Sequence, residues 1–261
     1  RHAQRFRQDV FRRSGDCPRL LKALDHEADL AGGYRKLELL DLMAAVQQEL
    51  GSSAGAEDAW REALELEPSW YPASMGLGQL LDRQGRWREL AELIEDELSA
   101  GPLGETPRVG LLGRLAEIYE FMLDMPEKAE RAYQDLMEAK PGAPDAVAGL
   151  ERIYDRLGQW EALAGLLRRH FEHLKAPRAR ALCLMKLGDI FQHRLGDLDE
   201  SIRLYEAALM EDPGCREAEW GLELLLLSGR QRGRLRDLYR AQLSRPNTSI
   251  GTRVLQHKLA D

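Results

Sequence analysis

The sequence predicts an all-α chain, a solenoid of about seven stacked antiparallel helix pairs. Three observations carry that prediction. First, the chain repeats itself. The stretch LGDIFQHRLGDLDESIRLYEAALMEDPG from Leu187 aligns without a gap on LAEIYEFMLDMPEKAERAYQDLMEAKPG from Leu115 at a shift of 72, and a weaker copy, LMAAVQQELGSSAGAEDAWREALELEPS from Leu42, lies a further 73 back. Second, apolar residues recur three and four apart along the whole chain and nowhere in strict alternation, which is helix periodicity. Third, Gly and Pro fall between the periodic segments, as helix punctuation. A fixed period of this kind marks units that bury their apolar faces only by stacking on their neighbours.

Taken in order, residues 1–13 and 17–31 read as a helix pair turned at Gly15, with Leu20, Ala23 and Leu24 inward. Helices over 34–50 and 55–67 form the next pair; Ala56, Trp60 and Ala63 lie four and three apart, on one face, and Pro68 stops the helix. Helices over 71–84 and 87–99 follow, marked by Gly76, Leu77 and Gly78, a turn at Gly85, then Trp87, Leu90, Leu93 and Ile94. The pattern then recurs. Helices over 106–123 and 126–139 carry Ala129, Tyr133, Leu136 and Pro141; helices over 144–157 and 159–174 carry Gly149, Leu150, Gly158, Trp160, Leu163, Leu166 and Leu167. Helices over 177–194 and 198–211 carry Ser201, Tyr205, Ala208 and Pro213; helices over 215–228 and 232–244 carry Gly221, Leu222, Leu235, Leu238 and Tyr239; a last helix opens at 249–261. Each long unit is therefore a strict pair followed by a looser one. Small residues let helices approach, the aromatic fills the gap between them, and glycine at the turn of the loose pair gives a left-handed cap.

In its small, aromatic, small and proline positions the strict pair resembles the tetratricopeptide repeat, and the resemblance covers nearly the whole chain. It implies a right-handed superhelix, a single domain over 1–261 with pairs at about 1–33, 34–69, 70–104, 105–142, 143–175, 176–213 and 214–246 and a partial one at 247–261. The closing KLAD matches KLGD from Lys186 and stops where that copy runs on, so a fragment of a longer array is expected. The alternation of strict and loose pairs is similar to long arrays of high-GC bacteria, myxobacteria especially. That likeness implies an adaptor with partners in cell polarity or motility, a small GTPase among them; a cytoplasmic location is expected from three cysteines that read as free thiols of a reducing compartment.

Composition limits the other classes. Hydrophobic residues at 44% and charged residues at 31% are ordinary for a soluble chain. No apolar run approaches the roughly 18 residues that span a bilayer, so no membrane insertion is expected. A net charge of −7 disfavours nucleic acid as partner. Arg-rich stretches at 1–24 and 230–245 read as solvated helix faces before they read as a docking patch for an acidic partner. Cys17, Cys183 and Cys215 have no metal-like spacing and read as free thiols. His170 and His173 lack a third ligand, since His193 is far along the next helix. Phosphate-loop, metalloprotease and nucleophile-elbow signatures are missing, so no enzyme and no cofactor is expected.

In the resembled family the first helix of each pair lines the concave surface. With Leu42, Leu77, Leu115, Leu150, Leu187 and Leu222 in register, the groove positions two residues on are Ala44, Gln79, Glu117, Arg152, Asp189 and Leu224. One turn further come Arg83, Phe121, Arg156 and His193, with Glu120 and Gln192 beside them; two residues before the register position come Met75, Met185 and Trp220. The Lys and Asn of a carboxylate clamp are missing there. The candidate partner-binding residues are therefore Trp220, Arg152, Arg156, Gln79, Arg83, Glu117, Phe121, Asp189, His193 and Leu224. They suit a protein or peptide with apolar anchors and charges of both signs. Trp220 leads, as Trp often dominates binding energy, and packing against a neighbouring helix is the competing role for it. A helical-repeat RNA binder, or the regulatory array of an enzyme outside the chain, are the alternative functions.

Overall fold

The computed structural model describes residues 16–101, 104–229 and 231–243. Among these it contains thirteen α-helices, two short π-helical turns and no strand. The helices expected over 1–13 and 249–261 lie outside the described residues. The chain divides into two compact units, residues 1–139 and 140–261.

The first unit holds α1 (Cys17–Leu30), α2 (Tyr34–Glu49), α3 (Ser53–Leu66), α4 (Tyr71–Gln84), α5 (Trp87–Ser99), α6 (Glu105–Glu117) and α7 (Pro126–Ala139). The second holds α8 (Pro144–Leu157), α9 (Trp160–His173), α10 (Pro177–Ile190), α11 (Leu198–Glu211), α12 (Arg216–Ser228) and α13 (Arg232–Leu243). Short turns join consecutive helices, so neighbours run antiparallel. Start signals are local. Asp16, Ser52 and Asp197 accept a hydrogen bond from the backbone N–H three residues on, and Pro72, Pro144 and Pro177 stand in first turns, where no N–H is needed. The stop signals are as expected: Gly85 (φ 68°) and Gly158 (φ 67°) take the left-handed cap that a side chain would resist.

The strict pairs pack as their spacing implies. Ala56, Trp60 and Ala63 are buried in the first unit, and Ser201, Tyr205 and Ala208 in the second. The Tyr205 ring is held between two glycines: a Cβ on Gly188 would come within 2.7 Å of it and a Cβ on Gly221 within 2.6 Å. Gly76 likewise presses on the Trp60 ring. Each aromatic also has a polar tip that needs a partner once buried. Trp60 Nε1–H donates to Asp41 at 3.3 Å, Tyr133 to Glu120 at 2.7 Å, and Tyr205 to Asp189 at 2.5 Å, with Gln192 at 2.9 Å from the same hydroxyl. Burial, and then the bond to Asp189, push the Tyr205 phenol above its ordinary range and keep it protonated as a donor.

The helices expected over 106–123 and 177–194 are each a composite. Their last five residues, Ile118–Met122 and Phe191–Leu195, form π-helical turns. Leu123 N–H reaches back to Ile118 C=O at 3.0 Å, and Asp197 N–H to Phe191 C=O at 3.0 Å.

Candidate partner-binding surfaces

The α12 sequence, REAEWGLELLLLS, is apolar on more than one face. Ala218, Leu222, Leu225 and Leu226 are buried and fix the helix in its unit, where it packs against α11, α13 and α10. Trp220, Leu224 and Leu227, four and three residues apart, then necessarily face outward together; they are 75%, 61% and 53% exposed. The competing role of Trp220 as a packing residue is thus not the one observed. Three large apolar side chains thus stand exposed in one row on a single helix.

The other expected residues divide by unit. In the second unit Arg152 and Arg156 lie exposed on α8, and His193 lies exposed in the π-helical turn. Asp189 is half-buried and occupied by the Tyr205 hydroxyl, so its first role is to hold the strict pair together. In the first unit Gln79, Arg83, Glu117 and Phe121 are exposed. Ala44 and Glu120, at positions expected to face the groove, are buried, and Glu120 accepts a bond from Tyr133.

Gln79 borders a crevice that the register of first helices does not disclose. It opens between α4 and α6 with α5 as its floor and has a volume of about 420 Å³. Met75 and Leu111 form its walls, and Leu90, Leu93 and Ile94 its base. Gly78 lies over that base, where a Cβ would make ordinary contact with Leu90 at 3.6 Å and Leu93 at 3.8 Å. The Asp82–Arg114 ion pair spans the crevice, and Glu117 lies 3.6 Å from the same guanidinium. Two further hollows continue it past Ser74 and Glu97 toward Leu64 and Pro68. The one sequence signal for this crevice is Gly78.

Burial pushes the Cys183 thiol up to about 11, so it is a poor nucleophile at neutral pH. Burial also lowers the pKa of His170, whose Nδ1 is enclosed without a hydrogen-bond partner. Among the described residues no group of three or more His, Cys, Asp or Glu side chains is arranged to hold a metal. No described helix is long and apolar enough to cross a membrane.

Residues 146–181 and 183–217 match the family model of the tetratricopeptide repeat. A curated relative, cellulose synthase operon protein C of Pseudomonas fluorescens (strain SBW25), is 23% identical over 212 residues; the match takes in 78% of this chain and 16% of that protein, so the chain spans only a small part of its length. Among solved structures, that of Naa15/Naa10 bound to HypK-THB superposes with a TM-score of 0.58 at 16% identity, covering 100% of this chain and 39% of the other. YrrB, a repeat protein of the same family with an unusual peptide-binding site, gives a TM-score of 0.41 at 17% identity, covering 69% of this chain and 88% of its own.

Proposed function

The chain is a tetratricopeptide-repeat protein, and from that premise we propose that it is a non-enzymatic scaffold that recruits a partner protein through the outward faces of its first helices. The observation that carries this reading is the row of Trp220, Leu224 and Leu227 on α12. Leaving these side chains in water forgoes about 1.5–3 kcal/mol for each large apolar group, which a partner's surface would recover. The rigid backing supports it further: the opposite face of the same helix is locked into the unit, so little ordering cost falls on binding. Exposed Arg152 and Arg156 on α8 offer charges that orient a partner on the same unit. The kind of partner we propose is a polarity or motility protein or a small GTPase, as the sequence resemblance to long bacterial arrays implies.

The test is capture by the immobilised array, identification of the bound protein, and titration of that purified protein against variants. Trp220→Ala is expected to weaken binding by about 2 kcal/mol, roughly thirtyfold, as for a central anchor. Arg152→Glu is expected to act mainly on the association rate and its salt dependence. Unchanged affinity in both variants removes this face from the account.

A further inference from the structure

We infer that the crevice of the first unit takes a basic side chain, Lys or Arg, next to a bulky apolar one from a partner peptide. It is a second surface, separate from the α12 row, and it rests on the scaffold reading only in taking the ligand to be a peptide. The inference starts from Glu97. This carboxylate is half-buried on α5 and lines all three adjoining hollows together with Ser74. The Ser74 hydroxyl donates to it, and no described Lys, Arg or His side chain lies within ion-pairing distance of it. Two other half-buried carboxylates of the same unit are neutralised: Glu27 by Arg35 at 2.9 Å, and Glu57 by Arg86 at 2.6 Å and Arg61 at 2.8 Å; Asp41 is instead taken by the Trp60 indole N–H.

A carboxylate drawn partly out of water, with one hydroxyl donor and no counter-charge, is a standing demand for a cation. Its surroundings say what must accompany that cation. Leu64, Pro68 and Leu93 wall the hollow on one side, and Met75, Leu90 and Leu111 wall the one on the other. The hollows, about 340 and 420 Å³, have room for a Leu, Met or Phe side chain beside the charge. Farther along, Asp82 and Arg114 neutralise each other and so contribute little net pull. An acidic ligand would meet Glu97 and Asp96 at the hollow's edge and be repelled. The fit is to a basic–apolar pair.

The experiment pans a random dodecapeptide library against the folded full chain, the isosteric Glu97→Gln variant and Trp220→Ala. Wild type is expected to enrich peptides with Lys or Arg adjacent to a bulky apolar residue. Synthetic versions of these should bind Glu97→Gln about tenfold more weakly and lose affinity as salt rises. Trp220→Ala should hold them as wild type does. The inference falls if wild type enriches no such pair, or if the enriched peptides bind Glu97→Gln equally well. Peptides that are lost with Trp220→Ala and kept by Glu97→Gln would uphold the α12 face and sink the crevice.

Discussion

Between α3 and α5 of the first unit, Arg86 reaches Glu57 at 2.6 Å and Glu89 at 2.5 Å, while Arg61 spans the same two carboxylates at 2.8 and 2.9 Å. At a shift of 145, the sum of the two periods, the second unit has Ile202 for Glu57, Glu206 for Arg61, Gln231 for Arg86 and Arg234 for Glu89. There the four-charge network shrinks to one pair, Arg234 with Glu206 at 3.9 Å, and its polarity is reversed. Ile202 is 2% exposed in its place, and a cleft of about 590 Å³ opens beside it over Leu198 and Leu225. Underneath, the two units agree: Trp60 and Tyr205 fill the same position, each against the glycine sixteen residues on, Gly76 and Gly221. The repeat thus holds the buried shape constant and lets the seam charges drift, even to the point of changing sign, so long as opposite charges still face each other.

The strongest way to break this comparison is to strike the part held constant. Trp60→Ala and Tyr205→Ala should each cost about 3–5 kcal/mol, the range for deleting a large buried aromatic. Urea denaturation followed by circular dichroism reads the loss, and a variant that stays within experimental error of wild type would show that its unit does not depend on the aromatic. Gly221→Val tests the opposite fault. A Cβ there would come within 2.6 Å of the Tyr205 ring, and overpacking of that kind costs about 1–3 kcal/mol.

Helix positions were legible because this buried shape repeats. The groove was legible only up to the π-helical turns. In the loose pairs the turn glycine lies eight residues after the register leucine, Leu77 to Gly85 and Leu150 to Gly158; in the strict pairs the turn residue lies nine on, Leu42 to Gly51, Leu115 to Asp124 and Leu187 to Gly196, and in the last two of these the helix ends in a π-helical turn. The helix absorbs the extra residue by widening its last turn, and each added residue rotates the downstream side chains by about 100°. Glu120 and Gln192 therefore swing onto Tyr133 and Tyr205 and leave the groove, while Phe121 and Met122 come to the surface. The exposed row on α12 was half legible. Trp220 and Leu224 stand at groove positions, but a run of four leucines does not say which of them the core will take. The crevice at Glu97 is lined in part by side chains of a second helix, which a register of first helices passes over.

At the seam itself, Ile202→Ala should cost about 2–5 kcal/mol, since the second unit uses burial where the first uses charge. Glu57→Ala should cost less, about 1 kcal/mol, because its partners are partly exposed and screened. The pH dependence separates the two cases. The hydrogen bond from Arg86, opposed by burial and helped by Arg61, holds the Glu57 carboxyl below the usual value near 4.5, and Arg86 does the same for Glu89. The folded state therefore binds protons less readily than the unfolded one. The stabilisation is fully present above the ordinary carboxylate range and is lost as pH falls below it. Thermal midpoints taken down through that range should drop more steeply for wild type than for Glu57→Gln. Parallel curves would mean that the network adds nothing to stability.

The smallest effect is the most direct test of drifting seam charges. Glu206→Arg and Arg234→Glu, made singly, each place like charges opposite one another and should cost about 0.5 kcal/mol. Made together they restore an opposite pair with the polarity that Arg61 and Glu89 have in the first unit. The double variant should return to within a few tenths of a kcal/mol of wild type, so the coupling free energy of the cycle is favourable and shrinks at high salt. Additive losses would mean that Glu206 and Arg234 do not sense each other across 3.9 Å, and that the reversed polarity of the second seam is chance.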